Sequence, residues 1–169
     1  AKLTHVPFPG IGQMLPQVFA GNVDIAAMNV SEALPFIRDG RLRGLAQERL
    51  DAFTPFAILG DYNVCPTGAD LAPGALPPTD ALVRPETRAR YRALLHLGLT
   101  DALRALHPAE TLFTYWDYGA AFEINRGLRI DHVLLSPELA ERLVACEVDT
   151  MPRGEAQPSD HTPVIATLR

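Results

Sequence analysis

Cysteine is scarce in this chain: only Cys65 and Cys146 are present, far apart in sequence, which excludes a disulfide-stapled scaffold. No apolar run approaches the roughly 20 residues that a membrane-spanning helix needs, so no membrane partner is expected. Positive charge is also short, with 15 Lys and Arg against 20 Asp and Glu and a net charge of −5. A bulk electrostatic pull on nucleic acid is therefore not expected, and only a local basic patch could provide one. The opening AKLTHVPFPG lacks the basic-then-apolar pattern of a signal peptide, so a cytoplasmic location is expected. Internal repeats and low-complexity segments are absent. What is present is 169 residues, 47% hydrophobic and 21% charged, enough to bury one ordinary core. That excludes disorder and collagen.

Charge divides the chain. Residues 1–46 carry four basic and three acidic residues, while the remainder carries 11 basic and 17 acidic. A change of character falls between Leu45 and Pro55. Before it, Leu3 to Phe8 alternates as a short strand that Pro7, Pro9 and Gly10 break. Ile11 to Ala20 places Ile11, Leu15, Val18 and Phe19 on one helical face, closed by Gly21-Asn22. Val23 to Met28 reads as a strand. Ser31 caps a helix that stops at Gly40, and Leu42 to Ala46 reads as a third strand. The order β-α-β-α-β predicts a parallel sheet.

HVPFPG, AGNVDIAAMN and SEALPFIRDGRLRGLA resemble, in that order, an internal stretch of the periplasmic solute-binding proteins of tripartite tricarboxylate transporters. The resemblance covers about residues 3–46. It implies strand-end loops that help grip a small carboxylate, here around Pro9-Gly10 and Asn29-Ser31. Turn and cap duty explains the same residues without a ligand, and a cleft needs a second wall that this piece lacks.

Beyond residue 46, Pro55 to Leu59 reads as a strand that delivers Asp61 and Asn63 at its tip. Pro66 to Pro78 is a long Pro- and Gly-rich loop. Pro85 starts a helix with Tyr91, Leu94, Leu95 and Leu97 as apolar positions, and Gly98 ends it. Asp101 to Leu106 forms a shorter helix. Thr111 to Tyr118 is aromatic and strand-like. Leu128 to Leu135 is a strand with Asp131 in its middle, Ser136-Pro137 opens a helix to about Cys146, and Pro163 to Leu168 is the final strand. Asp131 interrupts an apolar run, and a buried carboxylate without a partner costs several kcal/mol. His161 is the natural partner, because His132 points to the opposite face of the strand.

Taken together, GDYNVCPT, RYRALLHLGLTDALRALHP, TYWDY, NRGLRIDHVLLSP and PSDHTPV closely resemble exodeoxyribonuclease III, of the endonuclease/exonuclease/phosphatase superfamily. The resemblance runs from about Ala46 to Arg169 and matches the family's second half. It implies a layered α/β sandwich and a Mg²⁺-dependent (or Mn²⁺-dependent) enzyme that cuts DNA 5′ to abasic sites and degrades it 3′ to 5′. Carried over by motif, Asp61 serves proton transfer and Asn63 holds the phosphate. His161 contacts the scissile phosphate, Asp131 orients His161, and Asp160 belongs to the metal and water network. Tyr115 and Trp116 lie at the abasic-site pocket, with Asn125, Arg126 and Arg129 adding substrate contacts.

Two departures qualify this. The family's principal metal-binding Glu lies in its first half and has no counterpart here, which implies an impaired enzyme. Gly119 also stands where the family usually has a basic residue after TYWDY. The sequence therefore reads as two pieces, 1–46 and 47–169, with an α/β fold whose nuclease portion is the better formed. The alternatives are a non-catalytic chimeric α/β protein, or a remnant small-carboxylate binding module. Asp61, Asn63, Asp160 and His161 are expected to gather at one end of a sheet.

Overall fold

The computed structural model describes residues 11–20, 22 and 41–169. The strands expected over 3–8 and 23–28, the helix expected over 31–40, and the turns at Pro9-Gly10 and Asn29-Ser31 lie outside the described residues. The helix expected from Ile11 is present as α1, Ile11–Phe19. A second helix, α2, spans Arg41–Asp51, in place of the strand expected over Leu42–Ala46. Leu42, Leu45, Ala46 and Leu50 recur at three- and four-residue spacing, and over eleven residues that helical period outweighs five residues of alternation. Ala46 is buried, and Leu50 packs toward Tyr91 and Val64. This single helix runs across position 46.

The centre of the molecule is an antiparallel sheet of β1 (Ala57–Asp61), β3 (Asp131–Leu135) and the two-residue β2 (Thr100–Asp101), with β3 in the middle. Its register pairs Ala57 with Leu135 and Asp61 with Asp131. Val133, Leu134 and Leu135 are all buried, as expected of a strand covered on both faces. Side chains alternate across it. Val133 and Leu135 join Ala102, Leu103 and Cys146 in one core cluster, while Leu134 joins Val64, Tyr91 and Leu99 in another.

Helix α3 (Pro85–Leu95) covers the second of these faces. Proline at its first position loses nothing, because that N–H has no partner inside a helix. Gly98, at φ 105°, takes the chain out of it. Asp101 caps the short α4 (Ala102–Leu106) by accepting from Arg104 N. On the other face lies a two-stranded antiparallel sheet, β4 (Leu143–Val148) with β5 (Val164–Leu168).

Three elements differ from the sequence reading. The helix opened by Ser136-Pro137 is a single turn, α5 (Pro137–Ala140), and Cys146 sits in strand β4 instead. Thr111 to Tyr118 forms no strand, only isolated bridges from Tyr115 to Leu128 and to His161. Asp131 opens β3 rather than sitting mid-strand. None of the described helices is long and apolar enough to cross a membrane.

Candidate active site

Strand β1 ends at Asp61, and the chain turns on the next two residues. Asp61 Oδ1 accepts from Asn63 N at 2.8 Å, and Oδ2 accepts from Asn63 Nδ2 at 3.0 Å. Asn63 has φ 49°, a left-handed conformation that asparagine tolerates better than most residues. The turn thus holds the carboxylate and the amide together. Behind it, Val64 O accepts from His132 Nε2 at 3.0 Å.

Asp131 faces Asp61 across the β1–β3 register. Its Oδ2 lies 2.9 Å from His161 Nδ1 and accepts from Thr114 Oγ1 at 2.7 Å. The half-buried Asp131 therefore does find its partner in His161, from the loop before β5, while His132 points the other way into the core. With Nδ1–H given to Asp131, the free ring nitrogen of His161 is Nε2. The hydrogen bond to Asp131 raises the His161 pKa against the opposing effect of burial, and the Asp131, Asp61 and Asp160 charges add to the rise. Burial raises the pKa of Asp61. The Asn63 hydrogen bonds offset this in part, and the nearby Asp131 charge pushes it further up. A carboxyl that keeps its proton longer than usual beside a histidine that does the same is a pairing suited to proton transfer.

Asn63, Tyr115, Arg126 and His161 line one cavity of about 250 Å³, with Leu76, Leu82, Leu128 and Ile130 as apolar wall. The Tyr115 ring meets the His161 ring edge-on at 5.1 Å. Asp160 uses its backbone carbonyl to accept from Trp116 N at 2.9 Å.

Two expected substrate contacts are corrected. Arg129 is buried, with Nε 2.7 Å from Asp70 Oδ1 and Nη1 2.8 Å from Asp101 Oδ2. Nε and Nη1 are spent on core carboxylates and the side chain is only 1% exposed, so Arg129 serves the core rather than a phosphate. Trp116 is only 3% exposed and packs with Phe113 and Phe122. Its Nε1 donates to Asn125 Oδ1 at 3.1 Å, so exposed Asn125 fixes the indole. Gly127 makes this possible, because a Cβ there would lie 2.6 Å from Trp116 Nε1.

Sequence reasoning missed Thr114. Its hydroxyl donates to Asp131 and accepts from the backbone N of Ile130 (3.2 Å) and Asp131 (3.1 Å). A threonine among aromatics carries no local sign of that duty. The apolar wall was missed too, since Leu76 comes from the irregular loop and Leu82 from the turn that follows it.

Among the described residues, no three His, Cys, Asp or Glu side chains form a group able to hold a metal ion. Asp61 and Asp131 are already engaged by Asn63, Thr114 and His161. These donors do not by themselves fit Mg²⁺, which wants near-octahedral oxygen ligation.

An antiparallel sheet thus brings an Asp–Asn turn and an Asp–His pair together beside one cavity. The chain belongs to the Endonuclease/Exonuclease/phosphatase family, which it matches over residues 22–161. That match reaches back into the stretch that resembles the solute-binding proteins, and the comparisons lend that resemblance no support. The chain is 37% identical over 136 residues to the exodeoxyribonuclease III of Haemophilus influenzae, covering 76% of this chain and 51% of that protein. Among solved structures it is similar to an AP endonuclease from Archaeoglobus fulgidus (TM-score 0.70, 34% identity, 80% of this chain and 52% of that one). It is also similar to a 3′ phosphatase from Neisseria bound to a product DNA hairpin (TM-score 0.66, 37% identity, 75% and 51%). The chain thus spans about half the length of these relatives.

Proposed function

We propose that this chain carries the phosphate-handling portion of a DNA-repair phosphodiesterase of the exodeoxyribonuclease III type, acting 5′ to abasic sites and as a 3′–5′ exonuclease. The observation that carries the proposal is the hydrogen bond between His161 Nδ1 and Asp131 Oδ2, set beside the Asp61–Asn63 turn on one cavity. In this reading a phosphodiester lies over that cavity. The Asn63 amide and the His161 ring meet its nonbridging oxygens, where charge develops as water attacks phosphorus. Asp131 holds the ring by its other nitrogen. Asp61 moves the proton, and Tyr115 and Arg126 meet the sugar and a flanking phosphate. The DNA-bound Neisseria relative supports DNA as the ligand.

The resemblance also implies Mg²⁺ or Mn²⁺, with Asp160 as a contributor. The described residues offer no three-ligand group, and a misplaced catalytic group costs on the order of 100-fold. We therefore expect the 169-residue chain by itself to cleave at a rate about 100-fold or more below that of a complete family member. The test is scission of an abasic duplex in excess Mg²⁺ and in EDTA, beside Asp61→Asn and His161→Gln. Slow scission lost in both variants is expected. Scission untouched by either substitution would remove the site assignment, and a rate equal to a complete member's would remove the impairment. A folded chain that neither binds nor cuts the duplex would overturn the reading altogether.

A further inference from the structure

We infer that Arg153 is a positioning residue for His161, its guanidinium clamping the histidine loop to the segment that carries Thr114, Tyr115 and Trp116. Arg153 sits in the short turn Met151–Gly154 and is 6% exposed. A buried guanidinium ordinarily rests on a carboxylate, because desolvating a charge without a counter-charge is costly. Here it does not. Nη1 donates to the Ser159 carbonyl, Nη2 donates to the Trp116 carbonyl at 3.3 Å, and Cζ lies 5.2 Å from the centre of the Phe122 ring. Nε is buried with no partner among the described residues. The fork is thus held by two main-chain oxygens and an aromatic face, and those oxygens belong to two different segments.

These two segments form the frame of the site. Trp116 N donates to Asp160 O and Thr162 N to Thr114 O, each at 2.9 Å, with His161 between the two rungs. Thr114, on the first segment, also holds the carboxylate of Asp131. One strip of chain therefore carries both halves of the Asp131–His161 pair: one through the Thr114 hydroxyl, the other through the ladder. Arg153 closes the open end of that ladder at Ser159. Without it, only the two rungs tie the loop to that segment by main-chain bonds, while Thr162 Oγ1 and Pro163 O anchor its far end to Asp149. A loop shift of an ångström would separate rings and carboxylates now held at 2.9 Å. The groups facing His161 are Asp131 and Asp61 from the central sheet, Asp160 from its own loop, and Tyr115. None of them bridges the two segments as Arg153 does.

The geometry stands without any activity, while its catalytic consequence rests on the function proposed above. The test therefore has two arms. In the first, nuclear magnetic resonance at one fixed pH follows the His161 Nδ1 proton hydrogen-bonded to Asp131, assigned by its loss in Asp131→Asn, together with amide exchange. In folded Arg153→Met, that proton signal is expected to vanish. The Trp116 and Thr162 amides should exchange at least about ten-fold faster, while the β1–β3 amides stay protected. A merely structural role would loosen all of these amides together. Arg153→Lys, which keeps charge and length but lacks the planar fork, should show an intermediate effect, and it decides the matter if Arg153→Met does not fold. A retained Nδ1 signal with unchanged Trp116 and Thr162 exchange in either folded variant overturns the inference. In the second arm, kcat on abasic duplex should fall about ten-fold with KM nearly unchanged, the pattern of a contact made in the transition state. If wild-type chain cuts nothing, the function proposed above fails, and the first arm still tests the clamp.

Discussion

At the scale of single residues, the Asp131 carboxylate depends on a hydroxyl that the sequence does not advertise. Thr114 is fully buried, and its Oγ1 serves two backbone N–H groups and one carboxylate oxygen. Thr114→Val keeps the shape and deletes all three bonds. Leaving such groups unpaired costs about 1–3 kcal/mol each, and part of that is recovered by relaxation, so a loss of about 2–3 kcal/mol in urea unfolding is expected. A loss below about 0.5 kcal/mol, the range of neutral surface changes, would contradict the hydrogen bonding described. The Asp131–His161 pair was legible for the same reason that Thr114 was not. An acid in an apolar run announces that it lacks a partner, whereas a threonine is at home anywhere. Arg129 misled because its role is equally invisible locally: its partners Asp70 and Asp101 stand 59 and 28 residues away in sequence.

At the scale of elements, errors arose where a short window was read with the wrong period. The strand expected over Leu42–Ala46 is part of a helix of eleven residues, and the helix expected toward Cys146 is a strand that follows a single helical turn. Start signals were sound, since Pro85 and Ser136-Pro137 do open helices. Stop signals failed where no glycine or proline marks the exit, as at Glu141-Arg142. The α2 reading is testable at Gln47, whose exposed side chain reaches Asp51 Oδ1 at 2.8 Å. Proline inside a helix removes a backbone bond and clashes with the preceding turn, at about 3 kcal/mol or more. Gln47→Pro is therefore expected to lower stability by about that much, with a matching loss of helical circular dichroism. A change under about 1 kcal/mol would mean that residues 41–51 do not form the helix described here.

At the scale of the whole molecule, the first sheet is tied to its surroundings by buried charge rather than by apolar packing alone. Asp70 comes from the turn after Thr67, Arg129 from the approach to β3, Asp101 from β2 and Arg104 from α4. Asp70 Oδ1 meets Arg129 Nε at 2.7 Å and Arg104 Nη2 at 2.6 Å. Tyr91 of α3 donates to Asp101 at 2.7 Å. Burial alone would raise the Asp70 pKa. The hydrogen bonds and charge of Arg129, with Arg104 and Thr67, overcome it and hold the carboxyl at about 2. A folded pKa depressed below the unfolded value of about 3.9 contributes stability above that value, and the contribution is lost as pH falls toward 2. The contribution is about 2–3 kcal/mol, because each tenfold change in proton affinity between the folded and unfolded chain is worth about 1.4 kcal/mol. Neutralising Asp70 by mutation removes a partner from a buried cation, which costs about 3–5 kcal/mol at any pH where the wild-type carboxylate is charged. Urea midpoints taken from about pH 6 down to about pH 2 should therefore fall more steeply for wild type than for Asp70→Asn, and the two curves should converge in acid. Curves that run parallel across that range would show that the Asp70–Arg129 contact does not couple protonation to folding.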